Sequence, residues 1–271
     1  MRRMDRKQKG TEAQGGHDTC KPHSSKGNNA KPKHQHLTTL LLHLCPRPLR
    51  VEDLLPASPR SFISIPNFLS PKECRSIVSL GAPRCHALRP RLLRHRRLTG
   101  GRPAGEELPW ERVAHAASKL YASRDNDRIH WVDAGLARRV WECTGLASMM
   151  AEVSAPFTGS THTLRAVGLN TGWRLYRYKQ GQHFGAHYDD SVECPDFPGA
   201  VSLYTMLVYL NDDFQGGETT FYKNKRQQML SVSPAIGMAL LHTQGPLCSL
   251  HEGAAVSSGC KWLLRTDVMY A

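Results

Sequence analysis

The chain has 271 residues, 40% of them hydrophobic, which suffices for one large packed domain or two small ones and excludes wholesale disorder. Its net charge of +13 is not spread evenly: residues 1–60 carry 12 Lys+Arg against 5 Asp+Glu, residues 61–109 carry 9 against 3, and residues 110–271 carry 15 against 15. A molecule-wide basic face is thereby excluded, and an acidic partner, nucleic acid or anionic membrane, would meet the first 109 residues.

Residues 1–36 are rich in Lys, His, Gly, Asn and Gln and too poor in apolar side chains to offset the entropy of ordering, so they are expected to be disordered. His34 and His36 in that tail read as solvated residues rather than metal ligands. Leu37–Leu44 is too short to span a bilayer and makes a poor signal peptide, and no apolar run approaches the ~18 residues a transmembrane helix needs. Pro46, Pro48, Pro56 and Pro59 mark residues 37–60 as a linker, giving a basic extension and linker over 1–60 and one domain over 61–271. The eight cysteines form no CxxC pair and no repeated spacing, which argues against a zinc ribbon or a disulfide framework and for reduced thiols in an intracellular protein, cytoplasmic or nuclear, with organelle targeting left open. Oligomeric state is not legible.

Order begins near Arg60. Ser61–Leu69 alternates as a half-buried strand would, and Ser70, Pro71 and Glu73 form a capping box that predicts a helix to about Leu80. Ala82–Pro109, with seven arginines and no period, is expected to be a loop. Val113, Ala117, Leu120 and Tyr121 predict a helix over Trp110–Ser123, and Asp133 caps a second over Asp133–Gly145. Both would pack on a sheet, making residues 61–163 a helical support region.

From Leu164 onward the pattern becomes short strands separated by Gly, Pro, Asn and Asp: Trp173–Lys179, His183–Tyr188, Leu203–Leu210, Thr219–Phe221, Met229–Val232, Met238–His242, Leu250–Glu252 and Lys261–Tyr270. Successive strands without intervening helices mean an antiparallel sandwich or barrel. The predicted fold is mainly β with flanking helices (α+β): a jelly roll, or cupin-like double-stranded β-helix, over residues 164–271 with N-terminal helices packed on its sheet.

His187 and Asp189 stand two apart in YRYKQGQHFGAHYDD, so a strand would aim an imidazole and a carboxylate at one point. Alone, such a pair is commonly just a surface feature. A jelly roll can bring a distant histidine beside it, and downstream there are two candidates, His242 at the end of GMALLH and His251 in LHEG. Two imidazoles and one carboxylate form the facial triad that leaves Fe(II) open for a bidentate co-substrate and oxygen.

The segments YRYKQGQHFGAHYDD, TMLVYLNDDFQGGETTF, VSPAIGMALL and LHEGAAVSSGCKWLLRTDVMY together resemble the Fe(II)/2-oxoglutarate-dependent dioxygenases of the prolyl 4-hydroxylase catalytic-domain type. FISIPNFLSPKEC resembles the opening strand and helix of such domains, and RDNDRIHWVDAGLARRVWECTGL a branch found in plants, algae and fungi. The resemblance implies that His187, Asp189 and His251 ligate the metal, that Lys261 and the Tyr178 hydroxyl hold the distal carboxylate of 2-oxoglutarate, and that Thr205 and Thr219 line the cavity. Arg265 shares a strand face with Lys261 and Leu263 and ranks behind Lys261 as the anchor, more readily a structural ion-pair partner. Phe184 stands where the family often has a second tyrosine, so that hydroxyl is missing. The implied cofactors are Fe(II), 2-oxoglutarate as co-substrate and ascorbate. The implied reaction hydroxylates a C–H bond of a protein or peptide with release of succinate and carbon dioxide. Two other readings stay open: a nucleic-acid demethylase of the AlkB type, with the basic N-terminal region contacting the nucleic acid, and a non-catalytic jelly-roll binding module.

Overall fold

The computed structural model describes residues 49–56, 60–81, 110–118, 121–151, 164–224 and 227–271, all within the compact unit Lys33–Ala271. The expectations for residues 1–48 and 82–109 lie outside the described residues. Among the described residues no helix is long and apolar enough to cross a membrane, and the five described cysteines carry no disulfide.

In chain order the elements are β1 (Glu52–Asp53), β2 (Phe62–Ile65), α1 (Pro71–Gly81), β3 (Glu111–His115), β4 (Arg124–Val132), α2 (Ala134–Cys143), α3 (Leu146–Ala151), β5 (Ala166–Leu169), β6 (Gly172–Lys179), β7 (His183–His187), β8 (Val201–Tyr209), β9 (Gln215–Gly216), β10 (Thr219–Asn224), β11 (Gln227–Val232), β12 (Ala239–Thr243), β13 (Leu250–Gly253), β14 (Val256–Ser258) and β15 (Cys260–Tyr270). All the pairings are antiparallel, and the main sheet runs β1-β2-β12-β8-β15-β6-β4-β7-β13-β10-β11, with β3 on β4, β5 on β15 and a separate β9–β14 pair. The sheet folds back on itself. Phe62 of β2 touches Phe221 of β10, near the other end of the ribbon, with ring centroids 4.6 Å apart. The result is a jelly roll whose inner face encloses a cavity.

The strands expected from Trp173 onward are all present, with only their ends moved. The capping box is also in place: Ser70 N–H donates to Glu73 Oε2 at 2.6 Å, and Glu73 N–H returns a bond to Ser70 Oγ at 3.3 Å. Asp133 caps α2 by accepting from Leu136 N–H at 2.8 Å. Cys74 and Ile77 of α1, Leu136 and Val140 of α2 and Met150 of α3 enter the same buried cluster as Ile63, Trp131, Trp173 and Tyr204, so the helices cover the outer face of the sheet.

Three expectations need correction. Within the stretch expected as a helix over Trp110–Ser123, Glu111–His115 form strand β3, whose residues are mostly exposed. Of the supposed apolar stripe, Leu120 lies outside the described residues, Val113 is half-buried, Ala117 is exposed and Tyr121 is 68% exposed. Cross-strand pairs favour the strand instead: Arg128 makes a two-pronged bond to Glu111 at 2.8 and 3.1 Å, and Arg112 meets Asp125 at 3.1 Å. Second, residues 61–163 are not a purely helical support, because β2, β3 and β4 lie in the main sheet. Third, the presumed linker contains β1, which pairs with β2.

Candidate active site

His187 ends β7 and His251 is the second residue of β13, and the two are direct partners across the antiparallel ladder. Directly opposed residues stand ~4.5–5.5 Å apart at Cβ, so the backbone register itself brings the imidazoles together, ring centroids 4.3 Å apart. Asp189 lies just past the end of β7. Its N–H donates to Cys248 Sγ at 3.1 Å and its carbonyl accepts from Gly245 N–H at 2.8 Å, which fixes the turn that aims its side chain inward.

Both rings are oriented from behind. His187 Nδ1 lies 2.8 Å from the Gly185 carbonyl and His251 Nδ1 lies 2.9 Å from the Ser249 carbonyl. A carbonyl only accepts, so each Nδ1 carries the proton and each Nε2 presents a bare lone pair. Those Nε2 atoms sit 3.6 and 3.7 Å from the two oxygens of Asp189, and the donor atoms of the three residues lie within 4.8 Å of one another. Three acceptors converging with no proton among them repel one another unless a cation lies between. Backbone-anchored imidazoles around a carboxylate are also how protein metal ligands are commonly held. The set fits a divalent metal, and two histidines with one carboxylate fit Fe(II).

Asp189 is 7% exposed and closely supported. Thr205 Oγ1 donates to its Oδ2 at 2.7 Å and Arg265 Nη1 to its Oδ1 at 3.1 Å. Burial alone would raise this carboxyl, but the Arg265 guanidinium holds it well below the usual carboxylate range. Burial keeps His251 neutral, its value well below that of a free imidazole, with His242 adding to the effect. Arg265 also contacts Asp267 Oδ1 at 3.5 Å, and despite burial Asp189 and Asp267 keep it charged.

Lys261 lies on the same wall, 3% exposed. Its Nζ donates to the Gly217 carbonyl at 2.6 Å and stands 5.7 and 5.3 Å from the ring centres of Tyr178 and Tyr209. Burial pushes its ammonium down to about 8. Gly217 has φ +72°, and a Cβ there would stand 3.1 Å from Lys261 Cδ, so glycine suits both the turn and the packing. Tyr178, the direct partner of Lys261 across β6 and β15, is buried in the same cavity, and burial raises its phenol.

Lys261, Leu263 and Arg265 all line the cavity, as their shared strand face predicts, together with Tyr178, His187, Asp189 and His251. Thr219 lines it too and hydrogen-bonds the Tyr209 hydroxyl at 2.7 Å. Thr205 does not. It is not among the cavity-lining residues, and its hydroxyl is turned onto Asp189, whose carboxylate it supports. Phe184 stacks on His187 with centroids 3.6 Å apart, and Arg124 covers its ring at 4.1 Å. Sequence reasoning missed Arg124 altogether, because the charged run RDNDR hides the alternation of β4; the signal was Ile129 and Trp131, both buried, two residues apart.

The site thus sits on the inner face of an antiparallel jelly roll. Residues 173–266 match the model of the 2OG-Fe(II) oxygenase superfamily. Among similar proteins, the probable prolyl 4-hydroxylase 3 of Arabidopsis thaliana is 27% identical over 233 residues, covering 78% of this chain and 69% of that one. Prolyl 4-hydroxylase 1 of the same plant is 32% identical over 105 residues, covering 33% and 37%, so the chain spans well under half of that relative. Among solved structures, the viral collagen prolyl hydroxylase of Paramecium Bursaria Chlorella virus-1, in its 2OG complex, aligns over 78% of this chain and 96% of its own, at 19% identity and a TM-score of 0.46.

Proposed function

We propose that the protein hydroxylates a C–H bond of a protein or peptide substrate in an Fe(II)- and 2-oxoglutarate-dependent reaction that releases succinate and carbon dioxide. The observation that carries this reading is the convergence of His187, Asp189 and His251 in one cavity with a buried cation, Lys261, on its wall. His187, Asp189 and His251 would hold the iron. When bound, it supplies the oxygen chemistry that couples loss of carbon dioxide from the 2-oxo acid to oxidation of the substrate.

The chain's own residues supply binding and orientation. Lys261 is a point charge in a desolvated wall, suited to the distal carboxylate of 2-oxoglutarate. The Tyr178 hydroxyl, kept neutral by burial, remains a donor for the same group. Leu207 and Leu263 line the cavity and keep bulk water from it. Arg265 and Thr205 fix the carboxylate of Asp189 so that it presents a set geometry before any ligand arrives. Ascorbate is expected to sustain turnover. A peptide substrate is favoured by the prolyl hydroxylases among the similar proteins, while Phe184 leaves one wall without the hydroxyl that many of them carry.

The test is conversion of 2-oxoglutarate to succinate by the purified full chain with Fe(II), against Asp189→Ala. The variant should lose turnover altogether. Undiminished succinate formation by Asp189→Ala would sink the assignment.

A further inference from the structure

The cavity wall carries a third cation, Arg124, to which the proposed reaction gives no part. Antiparallel pairing sets Arg124 of β4 opposite Phe184 of β7, Phe184 opposite Gly253 of β13, and Gly253 opposite Thr219 of β10. All four line the cavity. Their row runs beside the one that pairs His187 with His251, so the same register that brings the imidazoles together also brings a guanidinium to the wall. Gly253 leaves the middle of the row without a side chain.

Arg124 is held in place but not neutralised. Its Nε donates to Oδ1 of the fully buried Asn126 at 2.8 Å, and its guanidinium carbon lies 4.1 Å from the ring centre of Phe184 and 5.3 Å from that of Tyr176. The other Asp and Arg residues of β4 are paired: Asp125 with Arg112 at 3.1 Å, Asp127 with Arg177 at 2.7 Å and Arg128 with Glu111 at 2.8 Å. On the cavity wall Arg265 is engaged by Asp189 and Lys261 by the Gly217 carbonyl. Among the described residues no carboxylate stands within ion-pair distance of Arg124, and Glu252, on the same wall, is taken by the Tyr222 hydroxyl at 2.6 Å.

A guanidinium fixed through Nε and one face keeps its Nη donors for a ligand. A carboxylate suits them, because its two oxygens can accept from the fork together. Position decides what that carboxylate is attached to. Phe184 stacks on the His187 ring with centroids 3.6 Å apart, so Arg124 is at most two stacking distances from a ring assigned to the metal. Two residues of extended peptide, at ~3.3–3.6 Å each, cover that span.

We propose that Arg124 is a specificity-determining residue, selecting peptides that carry an aspartate or glutamate within about two positions of the hydroxylated residue. The proposal rests on the reading of the protein as a peptide hydroxylase.

The test incubates the full chain, Fe(II), 2-oxoglutarate and ascorbate with a chymotryptic digest of a cellular proteome, whose peptides keep acidic and basic residues in their interiors, and maps each added oxygen atom by mass spectrometry. Asp and Glu should be enriched beside the modified residue. In Arg124→Gln that preference should fall by roughly tenfold, the scale of a hydrogen bond to a charged group, and in Arg124→Glu it should turn toward Lys and Arg. Melting temperatures check the fold of both variants, and Arg124→Gln carries the comparison alone should the charge reversal not fold. Equal acidic preference in wild type and Arg124→Gln would overturn the proposal. So would an unchanged preference together with weaker 2-oxoglutarate binding in calorimetry, which would make Arg124 a co-substrate anchor. The two readings fail differently: hydroxylated peptides without acidic neighbours overturn only the role of Arg124, whereas succinate formation with no hydroxylated peptide overturns the peptide substrate, and this proposal with it.

Discussion

The two faces of the same strands carry opposite chemistry. In β15, Leu264 and Val268 enter the apolar cluster beneath the helices, while Lys261, Leu263 and Arg265 point to the cavity. In β8, Met206 and Val208 lie outward, and Thr205 and Leu207 inward. In β12, Ala239 and Leu241 face the helices and His242 faces the cavity. Since successive residues of a strand alternate, a dry face able to hold the fold and a charged face able to bind ligands are built from one backbone. The outer face contributes burial. The inner face has an apolar cluster of its own, with Leu207, Phe221, Leu240 and Leu263 buried together, but it also holds Arg124, Lys261, Arg265, Asp189, Glu252 and three imidazoles, polar groups that, taken alone, cost stability.

If that division is sound, substitutions on the two faces should fail differently. The largest effect expected on the outer face is from Trp173→Ala. It removes a fully buried indole whose Nε1 bonds the Asp133 carbonyl at 3.2 Å, and should cost ~3–5 kcal/mol in urea unfolding while metal affinity of the folded protein is retained. Loss of metal binding at temperatures where the variant remains folded would break the comparison. On the inner face, Lys261→Ala should weaken 2-oxoglutarate binding by ~2–5 kcal/mol in calorimetric titration, with a far smaller change in stability; unchanged affinity would move the anchor to Arg265.

A smaller effect comes from pH. The Lys261 ammonium titrates at about 8 in the fold against 10.5 for a free lysine, so 2-oxoglutarate affinity should weaken as pH rises through 8. Between 8 and 10.5 the unfolded chain binds more protons than the folded one, so this residue makes the ligand-free protein more stable as pH rises over that window. Both trends should vanish in Lys261→Met, measured by titration and by melting temperature from pH 7 to 10. The smallest effect belongs to Arg138→Ala. The Arg138–Glu142 pair on α2, at 3.7 Å, is largely exposed, and its loss should shift stability by no more than ~0.5 kcal/mol.

What could be read in the sequence follows from where the alternation is clean. From Trp173 on, apolar and polar residues alternate between turn residues, and the strands stand where that pattern puts them. His187 and Asp189 are legible because they are neighbours, and their spacing needs only a strand to make sense. Upstream, Val113, Ala117, Leu120 and Tyr121 happen to fall at helical spacing, so β3 was expected as a helix, while in β4 the charged run Arg124–Arg128 hides the alternation that Ile129 and Trp131 carry, so it went unseen. Thr205 was placed on the cavity wall because strand position gives the face but not the rotamer, and its hydroxyl is claimed by Asp189. His242 could be named as a candidate. That its Nε2 is buried and unpartnered is a tertiary fact that no spacing reveals.

The position of β15 has a consequence for assembly. It is hydrogen-bonded on one side to β6, which begins at Gly172, and on the other to β8, which begins at Val201, so its partners are all made well before it. Until β15 docks, β6 and β8 have an open gap between them and Lys261 and Arg265 remain in water. Closing loops of that length costs entropy before any contact repays it. The one strand that closes the gap between β6 and β8 therefore also desolvates both cations, so closure of the sheet and completion of the cavity wall are the same structural event.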